Sequence, residues 1–212
     1  MVRFIIIRHG YSQGNKEKRF SGQMDVPLDE AGLSQAKSTA EYILKNYEVD
    51  SIYSSDLVRA YETVKPIAEA LGKKVVTCDG LREIDVGDWE GMPIVDVAEK
   101  YPESFAFYKQ TPGLVRFEGG ESFREATDRA LRTMEKIAAE NEGKTVIVGT
   151  HGGIVRALRV AWMGLPLSKM QEVPHVPNSS VTVVDYENGN ATFVLEGYND
   201  HLAEKASEVS FQ

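Results

Sequence analysis

The chain predicts an α/β fold with a mostly parallel central sheet, helices on both faces and a closing antiparallel hairpin. Two observations carry this. Short apolar, strand-like runs alternate with segments of helical periodicity along most of the chain, the pattern of parallel βαβ units. Near the end, "SSVTVVDY" and "ATFVLEGY" flank "ENGN", a good hairpin turn that makes the sheet mixed.

Each element can be justified in order. The first strand is Val2–Arg8, with Phe4 to Ile7 uninterrupted and apolar. A helix follows over residues 28–47, where Leu33, Ala36, Ala40, Ile43, Leu44 and Tyr47 recur at helical spacing and Asp29 suits the N-cap. "DSIYSS" (50–55) is a short strand leading to a helix over 56–71, with Leu57, Val64, Ile67 and Leu71 on one face and a kink expected at Pro66. "KKVVTC" (73–78) is another strand. A long helix spans 122–141 with Ala126, Ala130, Met134, Ile137 and Ala138 inward. "KTVIVGT" (144–150) is a buried strand, and "GIVRALRVAWMG" (153–164) is a helix after it. Between Glu83 and Glu121 the pattern breaks, with Pro93, Pro102, Pro112, Trp89 and the cluster Phe105, Phe107 and Tyr108. The stretch 84–121 reads as a lid or insertion over one sheet edge, within a single domain over 1–212.

Composition bounds the function. The chain has 212 residues, 42% hydrophobic and 26% charged, as an ordinary soluble globular domain does. A net charge of −8 argues against nucleic acid or an anionic membrane as partner. The single cysteine, Cys78, cannot form an internal disulfide, which fits a reducing compartment. No stretch resembles a signal peptide or approaches the roughly 20 apolar residues of a membrane span. A cytoplasmic protein is expected, as monomer or homodimer.

Ligands of open α/β sheets bind at the carboxyl ends of the strands. The first strand ends in Arg8-His9-Gly10, and the 50–55 strand ends just before Arg59. The 73–78 strand leads to Glu83, and the 144–150 strand ends in Thr150-His151-Gly152-Gly153. Two arginines, two histidines and a carboxylate therefore converge on one side of the sheet. Two guanidiniums clamp an oxyanion, most naturally a phosphoryl group. Glycines and a helix N-terminus add backbone donors. A neutral imidazole among cations is a competent nucleophile toward phosphorus, and the other can donate to phosphoryl oxygens. A carboxylic acid opposite can protonate the leaving alcohol and then deprotonate water. Taken singly, each residue has a plainer reading: Arg59 as a solvated helix arginine, and Glu83 as one loop carboxylate among Asp85, Asp88 and Glu90. His175 and His201 lack a strand-end context and read as loop or surface histidines. The convergence is what favours chemistry.

"IIIRHGYSQGN", "RFSGQMDVPLDEAGLSQA", "IYSSDLVRAYETVKPIAEALG", "LREIDVGDWEGM", "EGGESF" and "TVIVGTHGGIVRALR" resemble, in order and over essentially the whole chain, the histidine phosphatase superfamily in its phosphoglycerate mutase-like branch. The resemblance implies a three-layer α/β/α sandwich and metal-independent chemistry with no cofactor. It implies His9 as the nucleophile that becomes phosphohistidine, and Arg8, Arg59 and His151 as holders of the phosphoryl group. Glu83 would be proton donor and then general base. Asn15, Ser21 and Gly22 would line the phosphate pocket or its rim, and the backbone of Gly152 would join them. Cofactor-dependent mutases carry a longer middle insertion with a Tyr, Lys and paired-Arg set; here only Arg116 precedes "EGGES", and Gln23 stands where mutases usually carry Trp. "LREIDVGDWEG" is more similar to small phosphatases of the broad-specificity, α-ribazole and fructose-2,6-bisphosphatase types. The expected function is hydrolysis of small phosphorylated metabolites, with inorganic phosphate as product. The alternatives are a phosphoglycerate mutase and a non-catalytic phospholigand-binding module; the last would be marked by loss of the histidine or the acid, and both are present. The lid aromatics either shape a leaving-group site or simply pack the insertion. Arg116 and Lys109 either meet a second anionic group or are solvated surface cations.

Overall fold

The computed structural model describes residues 1–202; residues 203–212, the end of the range read as one domain, lie outside the described residues. Six strands form one sheet in the order β3-β2-β4-β1-β5-β6. β1 (Val2–Arg8), β2 (Ser51–Ser54), β3 (Val75–Thr77) and β4 (Thr145–Thr150) run parallel, while β5 (Val181–Glu187) pairs antiparallel with both β1 and β6 (Asn190–Tyr198). Asn188 and Gly189, with φ of 50° and 83°, make the β5–β6 turn, the left-handed pair that matches the strands' twist.

β1 shows how the apolar run makes three layers. Successive side chains leave a strand on opposite faces. Phe4 and Ile6 enter one core with Val146, Val148, Ala130 and Met134. Ile5 and Ile7 enter the other with Ile147, Ile52, Ala40 and Ile67. The first core is covered by α6 (Phe123–Glu140) and α7 (Gly152–Trp162), the second by α2 (Glu30–Asn46) and α3 (Val58–Leu71). The remaining α-helices among the described residues are α1 (Gln13–Lys16), α4 (Ile94–Lys100) and α5 (Pro102–Gln110), with short 3-10 turns between elements. No helix of the described residues is long and apolar enough to cross a membrane.

Helix ends follow the local chemistry. Asp29 caps α2 by accepting from Gly32 N at 2.9 Å. Ser122 and Glu125 form a reciprocal capping box on α6. One detail differs from expectation. Leu33 and Leu44 of α2 are 46% and 38% exposed, because the buried stripe is Gln35, Ala36, Thr39, Ala40 and Ile43. α3 continues through Pro66 and ends at Gly72, whose φ of 62° stops it. Segment 84–121 packs on α6 and on the turn Leu167–Glu172, at the end of the sheet where the parallel strands finish.

Candidate active site

β1 and β4 are parallel neighbours, and Arg8 lies in register with Thr150. One residue further, His9 and His151 emerge side by side with ring centroids 5.3 Å apart. His9 N donates to Thr150 O at 2.8 Å, so the sheet ladder itself holds the histidine. The residue is only 5% exposed.

The His9 ring has a defined tautomer. Nδ1 lies 2.7 Å from Gly10 O. A carbonyl can only accept, so Nδ1 carries the hydrogen and Nε2 keeps a lone pair. Burial, reinforced by the charges of Arg59 and Arg8, holds the imidazole's pKa well below its ordinary value. His9 is therefore neutral, with an unprotonated nitrogen available.

His151 is fully buried behind it. Ser55 Oγ accepts from Leu57 N at 3.2 Å and meets His151 Nε2 at 2.8 Å. With Ser55 donating to Nε2, the hydrogen of the neutral ring sits on Nδ1, a buried atom without a partner among the described residues. Burial and then Arg59 push the His151 pKa well down as well. Arg59, 1% exposed, gives Nη1 to Met24 O at 2.8 Å and Nη2 to Gly22 O at 2.7 Å, leaving Nε buried and without a partner among the described residues. Arg8 Nη1 donates to Val176 O. Glu83 faces this group from the other side: its Oε2 accepts from Gly153 N at 3.1 Å and its Oε1 from Ile84 N at 3.0 Å.

The nine residues read from the sequence meet at one place. Arg8, His9, Asn15, Ser21, Gly22, Arg59, Glu83 and Gly152 all line a single cavity of about 480 Å³. His151 backs His9 rather than standing on the cavity wall. Asn15 Oδ1 accepts from Ser12 N at 3.0 Å and Asn178 Nδ2 at 3.3 Å, which orients its amide. Gly152 and Gly153 are required at the start of α7. A Cβ at Gly152 would press on the Arg8 guanidinium, and one at Gly153 would collide with the Glu83 carboxylate. The arrangement has the parts for binding a tetrahedral anion between two guanidiniums, an imidazole N–H and a helix N-terminus, next to one nucleophilic nitrogen and one carboxyl group.

The alternatives left open for the lid and its cations are decided, and the reading of the remaining histidines changes. Arg116 is exposed and paired with Glu125, outside the cavity lining, whereas Lys109 does line it. Phe107 is 47% exposed. Trp89 is buried and packs on Phe20, Phe105, Tyr108 and Phe117, so most of the aromatic cluster is packing; Phe20, Tyr108 and Phe117 also reach the cavity. His201 bonds Thr39 Oγ1 at 2.9 Å and stacks on Tyr42. His175, read as a loop histidine, lines the cavity and meets Arg156 Nη1 at 2.9 Å. The sequence pattern does not mark Arg156, Asn178 or Arg129. Arg129 gives three bonds to the loop carrying Glu83, to Gly80 O at 3.0 Å, Arg82 O at 2.7 Å and Glu83 O at 2.9 Å, and pairs with Glu121. Only one cue was available for Arg156: it falls three residues after Gly153, on the same face of a helix that begins in the site.

The family model for the histidine phosphatase superfamily (branch 1) matches residues 4–201. Phosphoserine phosphatase 1 of Hydrogenobacter thermophilus is 36% identical over 204 residues, 96% of each chain. Phosphoglycerate mutase-like protein 4 of Arabidopsis thaliana is 33% identical over 206 residues, 96% of this chain and 88% of its own. Among solved structures, a mycobacterial glucosyl-3-phosphoglycerate phosphatase superposes with a TM-score of 0.84 at 28% identity, over 90% of this chain and 96% of that one.

Proposed function

The chain belongs to the histidine phosphatase superfamily, and from that premise we propose that it hydrolyses phosphomonoesters of small metabolites through a phosphohistidine at His9. The observation that carries the reading is the His9 tautomer. The Nδ1–H bond to Gly10 O fixes the ring and leaves the Nε2 lone pair in a buried, doubly cationic pocket.

The proposed chemistry balances in two steps. His9 Nε2 attacks phosphorus, the ester P–O bond breaks, and the carboxyl of Glu83 gives its proton to the departing oxygen, releasing the alcohol. Glu83, now a carboxylate, takes a proton from water; the oxygen attacks phosphorus, the P–N bond breaks, and inorganic phosphate leaves neutral His9. Arg8 and Arg59 hold the phosphoryl oxygens throughout from the cavity wall, the buried His151 beside His9 is assigned the same role through its Nδ1–H, and Asn15, Ser21, Gly22 and the Gly152 backbone complete the lining. The guanidiniums stabilise the charge that develops in transfer, so no metal is assigned a role. Cys78 as an unpaired thiol supports a cytoplasmic setting.

Phosphatase is favoured over mutase. Arg116, the one arginine before "EGGES", turns outward to Glu125, and Gln23 Nε2 reaches Glu83 O at 3.2 Å. The test follows 2-phosphoglycerate and free phosphate together from 3-phosphoglycerate with a trace of 2,3-bisphosphoglycerate, with p-nitrophenyl phosphate in parallel and His9→Ala as control. Phosphate release lost in the variant is expected. Isomerisation outpacing phosphate release would make the chain a mutase.

A further inference from the structure

α7 carries two arginines that face very different surroundings. Arg159 is neutralised: its Nε and Nη2 lie 3.1 and 2.8 Å from Glu196 Oε2. Arg156 is not. It has no carboxylate partner among the described residues, and the groups acting on its charge are Tyr108 and Arg159, neither a carboxylate. Yet it is partly withdrawn from water in a cavity wall, where an uncompensated cation is costly.

Arg156 is also held still. Its Nε donates to Val173 O at 2.7 Å and its Nη1 to His175 Nε2 at 2.9 Å. An arginine can only donate, so this His175 nitrogen is unprotonated and adds no second cation. The remaining Nη2 has no protein partner among the described residues. Arg156 stands about one helical turn, ~5 Å, beyond the Gly152-Gly153 step that borders the phosphoryl pocket. It shares one cavity with His9 and Glu83. A phosphate ester seated at His9 would thus carry its alcohol portion toward a fixed, unneutralised guanidinium.

We propose that Arg156, steadied by Val173 and His175, is the subsite for a carboxylate on the substrate, so that the enzyme prefers phosphate esters of small hydroxy acids. A single planar guanidinium matches a planar monoanion. The exposed Lys18 and Lys109, also lining the cavity, add a favourable field in a chain whose net charge is −8. The proposal rests on the phosphatase reading above and adds the substrate class to it.

The test uses two matched pairs that differ in the carboxylate: O-phosphoserine against O-phosphoethanolamine, and 3-phosphoglycerate against glycerol 3-phosphate. kcat/KM for phosphate release is measured on each, with p-nitrophenyl phosphate as a reference. In whichever pair is turned over, wild type should favour the carboxylate member by about 10- to 100-fold, the worth of one charge-assisted hydrogen bond. R156Q should lose most of that ratio, and R156K, which keeps the charge but not the fork, should keep part of it. The ratio is read within one enzyme preparation, so a general loss of activity does not move it. A wild-type ratio near one, or the same ratio in R156Q, overturns the subsite and leaves the phosphatase reading standing. Turnover of p-nitrophenyl phosphate with none of either pair does the same. No phosphate release from any ester overturns the phosphatase reading, and the subsite with it.

Discussion

His9 and Glu83 divide the proposed reaction between nucleophile and proton donor, and the division can be tested at Glu83. Its carboxylate is held by two backbone N–H groups, from Gly153 and Ile84; Glu83→Gln keeps the size of the side chain and one of the two acceptors while removing the transferable proton. An ester with a poor leaving group needs that proton in the transition state, and one with a good leaving group does not. E83Q should therefore lower kcat for alkyl phosphates by roughly 100- to 10,000-fold, the range of general acid catalysis, and lower that for p-nitrophenyl phosphate much less. Equal losses on both would remove Glu83 from the proton-donor role.

A loop without regular structure carries Glu83, and α6 supplies its rigidity. Arg129 spans the carbonyls of Gly80, Arg82 and Glu83, and its partner Glu121 accepts from Asp85 N at 2.9 Å. The helix is in turn set by the Ser122–Glu125 box. Arg129→Met would free three carbonyls and leave Glu121 without its cation. Displacement of a catalytic group by about 1 Å can cost ~100-fold. R129M should thus lower kcat on alkyl phosphates while orthophosphate still inhibits competitively with little change, since the anion pocket is built by other elements. A parallel loss of phosphate affinity in a folded variant would mean that Arg129 shapes the whole site. The dependence on Arg129 was invisible in the chain order, where it reads as a solvent-facing arginine of an amphipathic helix. Its role needs the loop at 80–85 to return against that helix.

The molecule as a whole stores two neutral imidazoles beneath one anion site, and this links stability to pH. His9 and His151 both titrate well below their ordinary value, chiefly through burial and then through the charge of Arg59. Unfolded, each would titrate near about 6.5. Below that pH the unfolded chain binds protons that the folded chain refuses, so stability is full above about 6.5 and falls as pH drops beneath it. The slope is at most about 1.4 kcal/mol per pH unit for each histidine. Thermal unfolding at pH 7.5 and 5.5 should show a lower Tm at 5.5, a smaller drop in His9→Ala, and a rise in Tm on adding phosphate, which binds the folded state. A drop of the same size in the variant would show that His9 is not one of the titrating groups.

How much was legible in the chain follows from which physics is local. The apolar run Phe4–Ile7, the cap at Asp29 and the "ENGN" turn are decided by neighbours a few residues away, so they, and the layered α/β fold they imply, could be read directly. The convergence of Arg8, His9, Arg59 and Glu83 on one cavity, with His151 buried beside His9, could also be expected, because parallel strands must present their ends on the same side. Other features depend on distant segments meeting in space. Trp89 and Tyr108 turn into a ring cluster while Phe107 faces water, and Arg116 is drawn out to Glu125. Arg156 is left without a carboxylate because residues 173–175 offer it a carbonyl and a neutral ring, whereas Arg159, three positions on, meets Glu196 from β6. Periodicity places both arginines on α7; the charge each one faces is set by chain that arrives from elsewhere, because electrostatic partnership follows distance in space and not separation in sequence.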